Sequence, residues 1–406
     1  MKILLINKFL YPKGGDAVCT IKTGELLRAK GHEVNFWGME STDNPPYPYS
    51  ELFVDNLDLN NAGRAKKQLA IAAKLLYSKE AKKKVEQFIK VVGKPDIVHL
   101  HNFAHQISPS ILDVFKKYKI PCVMTMHDYK LACAAYTLLS HGKVCKRCSG
   151  VKYYQCFKQG CVKGSKAKSL LNTIEMYLHH KILHIYDYID TFISPSLFLK
   201  ETLEEMGFKG KVIHIPNFVE IEKFTPRYDW QENTICYMGR LSHEKGVETL
   251  IEAMQGLPVT LKIIGDGPLK EQLMVSAAGC GNIAFLGYRS GDDLKNEIRN
   301  SMFTVIPSQW YENNPLSVIE AFALGKPVIG ARIGGIPELV KDNITGITFT
   351  AGDAADLRDK ILFMINNPDK LKIFGQNARR FAEAEFSSAR HYEKLIKIYN
   401  EALGAK

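Results

Sequence analysis

Two glutamates, Glu312 and Glu320, stand eight positions apart across the predicted start of a helix. Asn314 is a good N-cap residue and Pro315 suits the first helical position. Burying a carboxylate such as Glu320 in an otherwise apolar helix is costly without a partner, and a sugar diol would be one. Glu312 precedes the helix, where free N–H groups and the helix dipole favour a phosphate. The segment indicates a nucleotide-sugar site; the alternative is a buried helix with one paired Glu.

Two cations, Arg240 and Lys245, follow a strand predicted at Thr234–Met238. In open α/β sheets, ligands bind at this end of the strands. A guanidinium and an ammonium group five residues apart can grip the two phosphates of a diphosphate. The alternative interpretation is a pair of solvated loop cations.

A glycine pair near the N-terminus is a further candidate for anion binding. Gly14 and Gly15 follow a strand predicted at Lys2–Asn7 and precede a helix predicted from about Asp16. Glycine lets the backbone approach a ligand closely, and a helix start favours an anion. A plain loop is the alternative.

Three histidines end predicted strands in the first half of the chain. His127 ends the strand at 122–126, which is a functional position in such sheets, unless it is a structural residue bonded to Asp128 or to the loop backbone. Alternation places His99 and His101 on one face of their strand. We expect this pair to line an acceptor cleft, to bind metal or to pack.

The cysteines are unevenly distributed, with five of the nine in the segment 131–165, which we interpret as a cysteine-rich insertion. The spacing of four of them fits a structural zinc site: Cys145, Cys148, Cys156 and Cys161. Cys133 or His141 could replace one of the four, and separate reduced cysteines are the alternative. An odd total argues against a disulfide framework and favours a reducing cytoplasm.

Positive charge is concentrated in the first half. The first 195 residues hold 29 Lys and Arg against 16 Asp and Glu, a net charge of +13, and the remainder has a net charge of −2. Many of these cations fall in one helical region: Arg64, Lys66, Lys67, Lys74, Lys79, Lys82, Lys83, Lys84 and Lys90. Apolar residues are interspersed among them: Leu69, Leu76, Val85, Phe88, Ile89 and Val92. Such a surface suits anionic lipid, or is a solvated helix packed by its apolar stripe. No nucleic-acid motif accompanies the charge, so nucleic acid is not an expected partner.

Strand-like and helical patterns alternate through both halves of the 406 residues, which predicts a parallel, doubly wound α/β sheet in each half. The predicted strands lie at 2–7, 33–37, 97–100, 122–126, 191–193 and 211–215, and then at 234–238, 259–264, 283–285, 303–306, 327–329 and 347–349. No stretch of about eighteen apolar residues occurs, so no membrane-spanning helix is expected.

Taken together, the motifs resemble the retaining family-4 glycosyltransferases. The matching elements follow the family's order and span nearly the whole chain: the Pro12 to Gly15 loop, His127-Asp128, Ile215-Pro216-Asn217, Gly239-Arg240 with Lys245-Gly246, Gly265-Asp266-Gly267-Pro268, Glu312 to Glu320, and Gly334-Gly335-Ile336-Pro337-Glu338.

The resemblance implies two facing Rossmann-like domains, the GT-B fold, with the donor sugar nucleotide held mainly by the C-terminal domain. We therefore predict an N-terminal acceptor-side domain at 1–215 and a C-terminal nucleotide-sugar-binding domain at 216–387. The last helix, within 388–406, is expected to pack back on the first domain, as it does in proteins of this fold.

The resemblance also implies roles for the residues around the donor sugar. Glu312 would contact the sugar hydroxyls and Glu320 the ribose, with Asn314 and Leu316 beside them in the donor site. His127 would lie near the donor sugar and bond a hydroxyl or a backbone carbonyl beside the reacting carbon.

The remaining implied roles concern the charge of the leaving group. Arg240 and Lys245 would neutralise the departing diphosphate, and the loop of Gly14 and Gly15 would approach it. No Asp-x-Asp triplet occurs, so a catalytic divalent metal is not expected. The family implies retention of anomeric configuration, and front-face attack assisted by the leaving phosphate is the mechanism to test.

These inferences predict an enzyme that moves a sugar from a nucleoside-diphosphate sugar, with UDP as the preferred nucleotide, to a hydroxyl of a glycan or lipid-linked acceptor in surface polysaccharide biosynthesis. We expect it in the cytoplasm, with contact to the inner face of the membrane left open. One alternative is a sugar-nucleotide epimerase of the same fold. The other is a zinc-stapled basic adaptor that binds membrane or polyanion.

Overall fold

The computed structural model describes residues 1–56, 65–231 and 233–404, the side chains of 65–69 excepted. The chain divides into two compact units. The first comprises Met1–Pro195, Leu199–Ile215 and Tyr392–Lys406, and the second comprises Ser196–Phe198 and Pro216–His391. Each unit is described by itself below.

Eight strands are described in the first unit: β1 (Lys2–Ile6), β2 (Glu33–Trp37), β3 (Ile97–Leu100), β4 (Cys122–Thr125), β5 (Leu139–Ser140), β6 (Lys143–Val144), β7 (Thr191–Ser194) and β8 (Val212–His214). Six of them form a parallel sheet in the order β2-β1-β3-β4-β7-β8, while β5 and β6 pair as an antiparallel hairpin. Strands β3 and β7 are buried at every position, as expected for parallel strands covered on both faces.

Six strands are described in the second unit: β9 (Thr234–Met238), β10 (Thr260–Ile264), β11 (Ile283–Gly287), β12 (Thr304–Ile306), β13 (Val328–Ala331) and β14 (Gly346–Phe349). They form a second parallel sheet in the order β11-β10-β9-β12-β13-β14. The strand order reverses between β9 and β12, and in the first sheet between β1 and β3. Such reversals open a crevice at the carboxyl ends of the strands, where ligands bind.

The α-helices connect and cover the strands: α1 (Gly15–Ala29), α2 (Ala65–Leu76), α3 (Lys79–Val92), α4 (Leu112–Lys117), α5 (Tyr154–Gln159), α6 (Lys166–Tyr177), α7 (Leu197–Glu205), α8 (Val247–Ala253), α9 (Lys270–Ser276), α10 (Gly291–Asn300), α11 (Leu316–Ala323), α12 (Ile336–Leu339), α13 (Ala354–Ile365), α14 (Pro368–Glu385) and α15 (Ser388–Gly404). The prediction of two Rossmann-like, parallel-sheet domains is therefore confirmed. Within the described residues, no helix is both long enough and apolar enough to span a bilayer.

The start of α11 differs from the prediction. The helix begins at Leu316, and Pro315 stands in the cap position with an extended backbone, so the prediction of Asn314 as N-cap was wrong. The Asn314 side chain instead accepts a hydrogen bond from the backbone N–H of Asn217 at 2.9 Å, and its carbonyl oxygen accepts one from the Asn217 amide at 2.8 Å. Asn314 therefore joins the loop after β8 to the start of α11 within the second unit.

Four lysines of the basic helical region form ion pairs within the first unit. The apolar side of α3 is buried in the first unit, with Val85, Phe88 and Ile89 at most 2% exposed. Lys82 forms an ion pair with Asp113 at 3.0 Å, and other pairs involve Lys74 with Glu80, Lys84 with Asp55 and Lys90 with Glu86. Arg64 and the side chains of Lys66, Lys67 and Leu69 lie outside the described residues. The apolar stripe of α3 thus packs on the protein's own core.

Candidate active site

The strand reversal of the second unit brings two of the predicted residues together. Lys245 ends the 3₁₀ turn His243–Lys245 that follows β9, and Glu312 lies on the loop that follows β12. Because β9 and β12 are neighbours in the sheet, their carboxyl ends lie side by side. Lys245 Nζ donates a hydrogen bond to Glu312 Oε1 at 2.6 Å.

Glu312 is almost completely buried in this arrangement. Its side chain is 9% exposed, against 24% for Lys245. The hydroxyl of Ser308 donates a second hydrogen bond to Glu312 Oε1 at 2.8 Å, and Lys245 Nζ lies 5.4 Å from the centre of the Trp310 ring. Ser308 was not predicted from the sequence, since a serine four residues before a glutamate is no signal by itself.

The electrostatics of the pair follow from this burial. Burial alone raises the pKa of the Glu312 carboxyl. The charge of Lys245 and the hydrogen bonds that Glu312 accepts outweigh that effect and hold the pKa of Glu312 below the ordinary value of 4.5. Glu312 is therefore a carboxylate at neutral pH. It offers a buried acceptor beside a partly exposed ammonium group, just beyond the carboxyl ends of β9 and β12.

Glycines allow the loops around this pair to pack closely. Gly246 has φ +65°, and a Cβ atom there would overlap the carbonyl oxygen of Pro307 just after β12. Gly334 has φ +61°, and the loop after β13 that carries it packs against the backbone of Glu312, where the N–H of Gly335 donates to the Glu312 carbonyl oxygen at 2.7 Å. Side chains at these positions would displace the loops that hold Lys245 and Glu312.

The other predicted donor-site residues are more dispersed. Arg240 follows β9 and its side chain is exposed, while its carbonyl oxygen accepts a hydrogen bond from the Tyr237 hydroxyl at 2.8 Å. Leu316 and Glu320 are half-buried on α11. The contacts that hold the Glu312 carboxylate come from Lys245 and Ser308, and Arg240 lies on the solvent side of its loop.

In the first unit, the strand ends bring together a group of histidines. His101 Nδ1 and His127 Nε2 share a hydrogen bond of 2.9 Å, with one nitrogen donating and the other accepting. His99 and His101 stack with ring centres 4.3 Å apart, which agrees with the predicted common face. His99 is fixed by hydrogen bonds to the hydroxyls of Tyr399, at 2.7 Å, and Thr125, at 2.8 Å. His99 therefore packs, whereas His101 contacts His127.

A small cavity of about 20 Å³ adjoins this group. Its lining includes side chains from the segments that follow two neighbouring strands, β3 and β4: His101, Asn102, Met126, His127, Asp128 and Lys130. Burial lowers the pKa of His127, an effect that the carboxylate of Asp16 opposes, so the imidazole is neutral at pH 7. Burial also raises the pKa of Asp128, opposed by a hydrogen bond from the Lys130 backbone N–H. The cavity is thus lined by the neutral imidazole of His127 and by the Asp128 carboxyl group, whose pKa is raised.

The same strand ends hold a set of metal-ligating atoms. Across the described ranges, one group of three His, Cys, Asp or Glu residues has its ligand atoms all within 4.8 Å of one another: Cys19, His101 and His127. Cys19 lies on α1, the helix that begins at Gly15. Gly14 precedes it with an extended backbone, and a Cβ atom at Gly15 would have no atom within 4 Å.

Beneath the cavity lies a buried polar network that sequence reasoning missed. Lys130 Nζ donates to Glu175 Oε2 at 2.6 Å, and His105 Nδ1 lies 3.3 Å from the same oxygen. The side chains of Lys130 and Glu175 are 6% and 2% exposed. Lys130 occupies a loop and Glu175 occupies α6, so their pairing has no local signature in the sequence.

All nine cysteines are free thiols in the structure. Of the predicted zinc ligands, Cys148 and Cys156 are buried, while Cys145 and Cys161 are half-buried. Within the described part of the chain, no three thiols of this segment have their sulfur atoms all within 4.8 Å of one another. His141, an alternative ligand, shares a hydrogen bond with the carbonyl oxygen of Gln159 at 2.9 Å.

Comparison with solved structures identifies the fold. The chain superposes on HepE of Anabaena in complex with UDP with a TM-score of 0.70 and 18% identity, covering 99% of this chain and all of that one. It superposes on an apo lipopolysaccharide outer core galactosyltransferase with a TM-score of 0.64 and 18% identity, covering 100% and 99% of the two chains. At these identities the likeness concerns the fold alone.

Comparison of sequences identifies the family. The chain is 30% identical over 265 residues to an uncharacterised glycosyltransferase of Methanocaldococcus jannaschii, covering 61% of this chain and 74% of that protein. Residues 13–223 match the model of Glycosyltransferase Family 4, and residues 219–381 match that of Glycosyl transferases group 1. The chain therefore belongs to glycosyltransferase family 4 and is a glycosyltransferase of the GT-B fold.

Proposed function

We propose that this enzyme transfers a sugar from a UDP-sugar to a hydroxyl group of a glycan or lipid-linked acceptor in the biosynthesis of a surface polysaccharide. Transfer retains the anomeric configuration and uses no catalytic metal. The observation that carries this proposal is the ion pair of Lys245 with the buried Glu312 carboxylate at the strand reversal of the second unit. A cation and a carboxylate fixed at that point suit a ligand that carries both phosphates and sugar hydroxyls.

The charge of the pair is suited to departure of a diphosphate. The Lys245 side chain remains partly exposed to solvent although its ammonium group contacts Glu312. The Arg240 side chain, on the same loop, is exposed. Fixed cations that interact most strongly with the transition state contribute several kcal/mol in typical sites, or about 10²–10³ in rate per group. We assign these two side chains to the leaving diphosphate.

The carboxylates of this region are assigned to hydroxyl groups. Glu312 is held as an anion and oriented by Lys245 and Ser308, which both donate to Oε1, and we assign its carboxylate to a hydroxyl group of the donor sugar. We assign Glu320 to the ribose, with Asn314 and Leu316 beside it at the start of α11. Its half-buried position on an otherwise apolar helix supports that role.

The first unit is assigned to the acceptor and to part of the donor. A Cβ atom at Gly15 would lie in open space. This supports close approach of a ligand to the backbone at the start of α1, beside Gly14. The neutral imidazole of His127 can accept or donate one hydrogen bond in addition to that shared with His101. We assign it to a hydroxyl or carbonyl group beside the reacting carbon.

The choice of nucleotide and acceptor follows from the proteins that share the fold and from the charge of the first unit. The fold is shared with a protein solved with UDP and, in a further structure, with UDP-glucose, which favours a UDP-sugar. The fold is also shared with a lipopolysaccharide galactosyltransferase, which favours a glycan acceptor. The net charge of +13 over the first 195 residues favours an anionic acceptor or lipid surface, and we propose that the enzyme acts in the cytoplasm beside the membrane.

A thermal-shift screen against UDP, GDP, ADP and their sugar conjugates tests the donor. We expect UDP or a UDP-sugar to raise the Tm of the wild-type enzyme and of Lys360→Ala, which removes a lysine paired with Asp356 on α13. The shift should be lost in Lys245→Ala. A response confined to another nucleotide, or one that persists in Lys245→Ala, contradicts the assignment.

A second measurement separates transfer from epimerisation. The enzyme is incubated with the UDP-sugar that gives the largest shift, with and without an oligosaccharide or lipid-linked acceptor. Nucleotide release that depends on the acceptor supports the transferase. A donor inverted at one carbon in the absence of acceptor supports a sugar-nucleotide epimerase instead.

A further inference from the structure

Helix α6 of the first unit exposes apolar side chains and buries polar ones. Of the five residues that it buries, four are polar: Ser169, Asn172, Thr173 and Glu175. Leu170 and Ile174 lie four positions apart on one face of the helix, and they are 42% and 46% exposed. A surface helix ordinarily buries its apolar stripe and turns its polar side to water. The outer face of α6 therefore differs from that of α3, whose apolar side packs on the core.

Hydrogen bonds fix this orientation of the helix. The side-chain amide of Asn172 donates to the carbonyl oxygen of Ala134 at 2.9 Å, and Glu175 accepts a hydrogen bond from Lys130 at 2.6 Å. A rotation of α6 that buried its apolar face would break both bonds and separate the Glu175 carboxylate from its cation, which is costly for a buried charge. The exposure of Leu170 and its neighbours is thus a property of the fold.

The exposed apolar side chains extend beyond α6 on both sides. The ammonium group of Lys166, in the first turn of α6, donates to the carbonyl oxygen of Phe157 on α5 at 3.2 Å. Because Lys166, Leu170 and Ile174 follow one another at four-residue steps, the exposed face of α5 continues into that of α6. Beyond α6, Ile182 is the most exposed of the set at 69%. We call this the α5–α6 surface, and its large apolar side chains are the following: Tyr154, Phe157, Leu170, Ile174, Ile182 and Leu183.

Positive charge accompanies these apolar side chains. Residues 143–183 contain nine Lys and Arg but a single acidic residue, Glu175, which is buried. Six of the lysines are exposed: Lys152, Lys158, Lys163, Lys166, Lys168 and Lys181. Lys146 pairs with Glu205 at 2.6 Å, whereas these six form no ion pair with any residue that the structure describes. The α5–α6 surface is therefore both apolar and strongly basic.

We propose that the α5–α6 surface binds the anionic face of a lipid bilayer and lies in the interface without crossing it. Apolar side chains would enter the boundary between headgroups and acyl chains, while the lysines contact lipid phosphates. A second copy of the chain would set like charges against each other, and a hydrophilic polyanion would leave the apolar side chains uncovered. This inference rests on the proposed function and deepens it, because it moves the membrane contact from the basic region of α2 and α3 to α5 and α6.

The position of α6 connects this surface with the histidine cavity of the first unit. On its inner side, Glu175 contacts Lys130, which lines that cavity. A bilayer on the outer side would be separated from Lys130 by about the width of one helix, roughly 10 Å. A lipid-linked acceptor could therefore remain anchored in the bilayer while its sugar approaches the cavity.

Co-sedimentation of the full-length protein with vesicles tests the apolar part of the surface. We expect the wild type to bind phosphatidylcholine vesicles that contain about one third phosphatidylglycerol at least about tenfold more tightly than vesicles of phosphatidylcholine alone. Leu170→Gln/Ile174→Gln should weaken binding to the anionic vesicles about tenfold. The matched control is Met274→Gln/Val275→Gln, which changes two exposed apolar residues on α9 of the second unit and should bind as the wild type does.

A second pair of variants tests the charge and its location. Lys158→Gln/Lys168→Gln should weaken binding to the same anionic vesicles about tenfold. Lys79→Gln/Lys83→Gln removes the same charge from two exposed positions on α3 and should bind as the wild type does. Equal losses in the two variants, or a loss in the α3 variant alone, overturn the assignment to α5 and α6.

The wild-type measurement does not depend on whether the variants fold. A wild type that fails to bind anionic vesicles, or that binds vesicles of phosphatidylcholine alone equally well, overturns the proposal. So does a wild-type dimer, found by analytical ultracentrifugation, that dissociates in Leu170→Gln/Ile174→Gln, because a second copy would then cover the surface.

Sugar transfer to a soluble acceptor is measured separately, as nucleotide release without vesicles. Leu170→Gln/Ile174→Gln should keep the wild-type rate there, because these side chains lie outside the proposed site, and a loss of that rate would contradict a role confined to membrane binding. Vesicle binding without transfer would contradict the proposed function and support this inference. Transfer without vesicle binding would support the proposed reaction and overturn this inference.

Discussion

Lys245 and Glu312 meet across the strand reversal of the second sheet, with Lys245 Nζ 2.6 Å from Glu312 Oε1. They are 67 residues apart in the chain, yet each follows the carboxyl end of one of two neighbouring strands, β9 and β12. The pair is unequal, since the carboxylate is nearly buried and the ammonium group is not. Removing the lysine therefore leaves a buried charge behind, whereas removing the glutamate leaves a cation that solvent can reach.

This asymmetry predicts that Lys245→Ala is more harmful to stability than Glu312→Gln. A buried carboxylate without its cation costs on the order of 3 kcal/mol when fully buried, and we expect about 1–3 kcal/mol here because Ser308 still donates to Glu312. The measurement is the urea midpoint of unfolding for both variants. Lys360→Ala, which breaks an ion pair on α13, is the matched control and should lie close to the wild type. Equal midpoints for Lys245→Ala and Lys360→Ala would contradict the asymmetry.

Both variants should lose turnover while they retain the fold. Removal of a single group that stabilises transition-state charge costs about 10²–10³ in kcat in comparable sites. Nucleotide release in the presence of acceptor measures this loss, and circular dichroism checks the fold. Full activity in either variant would remove that residue from the proposed site.

The low pKa of the Glu312 carboxyl gives a pH dependence with a definite sign. A carboxylate whose folded pKa lies below its unfolded value stabilises the fold at pH values above about 4.5. That contribution is lost as the pH falls through the lowered folded pKa. We therefore expect the difference in Tm between the wild type and Glu312→Gln to be constant from pH 7 to pH 5 and to shrink below pH 4.5. A difference that grows on acidification would show that the carboxyl group is protonated in the native state.

Much of the strand pattern of both units could be predicted from the sequence because its signals are local. Apolar runs bounded by Gly, Pro and Asn mark the strands, and those at Thr234–Met238 and Glu33–Trp37 occur with the predicted bounds. The cation after one strand and the carboxylate before one helix were also visible as separate features. Their contact depends on strand order, which no local pattern encodes.

The sequence misled where a side chain had a distant competitor. Asn314 has the type and position of an N-cap, but the backbone of Asn217, 97 residues away, takes its side-chain oxygen. The sequence could not separate a free basic surface from a paired one on α3, because the partners of Lys82 and Lys84, Asp113 and Asp55, come from other segments of the chain. Tertiary partners of this kind lie beyond any window of sequence.

The histidine pair of the first unit predicts a pH–rate profile without a titration between pH 6.5 and pH 8. Burial lowers the pKa of His127 below 6.5, so the neutral ring that bonds His101 persists throughout that range. We expect kcat to be flat there and to fall only below pH 6.5, where protonation breaks the bond between the two rings. A rate that rises on acidification through pH 6.5 would require the imidazolium form instead.

Substitution of His127 tests the same relationship directly. His127→Ala should lower kcat about 10²-fold, since it removes one hydrogen bond beside the reacting group. His184→Asn is the matched control, because His184 is exposed in the first unit with φ +47°, a conformation that asparagine tolerates. A normal rate for His127→Ala, or an equal loss in His184→Asn, would count against a role in catalysis.

The buried network beneath the cavity supplies the final prediction, which concerns Lys130 and Glu175. Burial raises the pKa of Glu175, but Lys130, His105 and His179 outweigh that effect and lower it, so the carboxylate stays charged in a nearly inaccessible position. Lys130→Met removes its main partner and should destabilise the first unit by about 3–5 kcal/mol.

The double variant Lys130→Met/Glu175→Leu separates the cost of an unpaired charge from the value of the pair itself. Because a buried ion pair can be replaced by apolar residues of similar volume with little loss, the double variant should recover most of the stability that the single variant loses. Urea midpoints of the two variants measure this, with Lys211→Met, which breaks a surface pair with Glu401, as the control. A double variant as unstable as Lys130→Met would mean that the pair itself, through its bond to His105, holds the cavity wall in place.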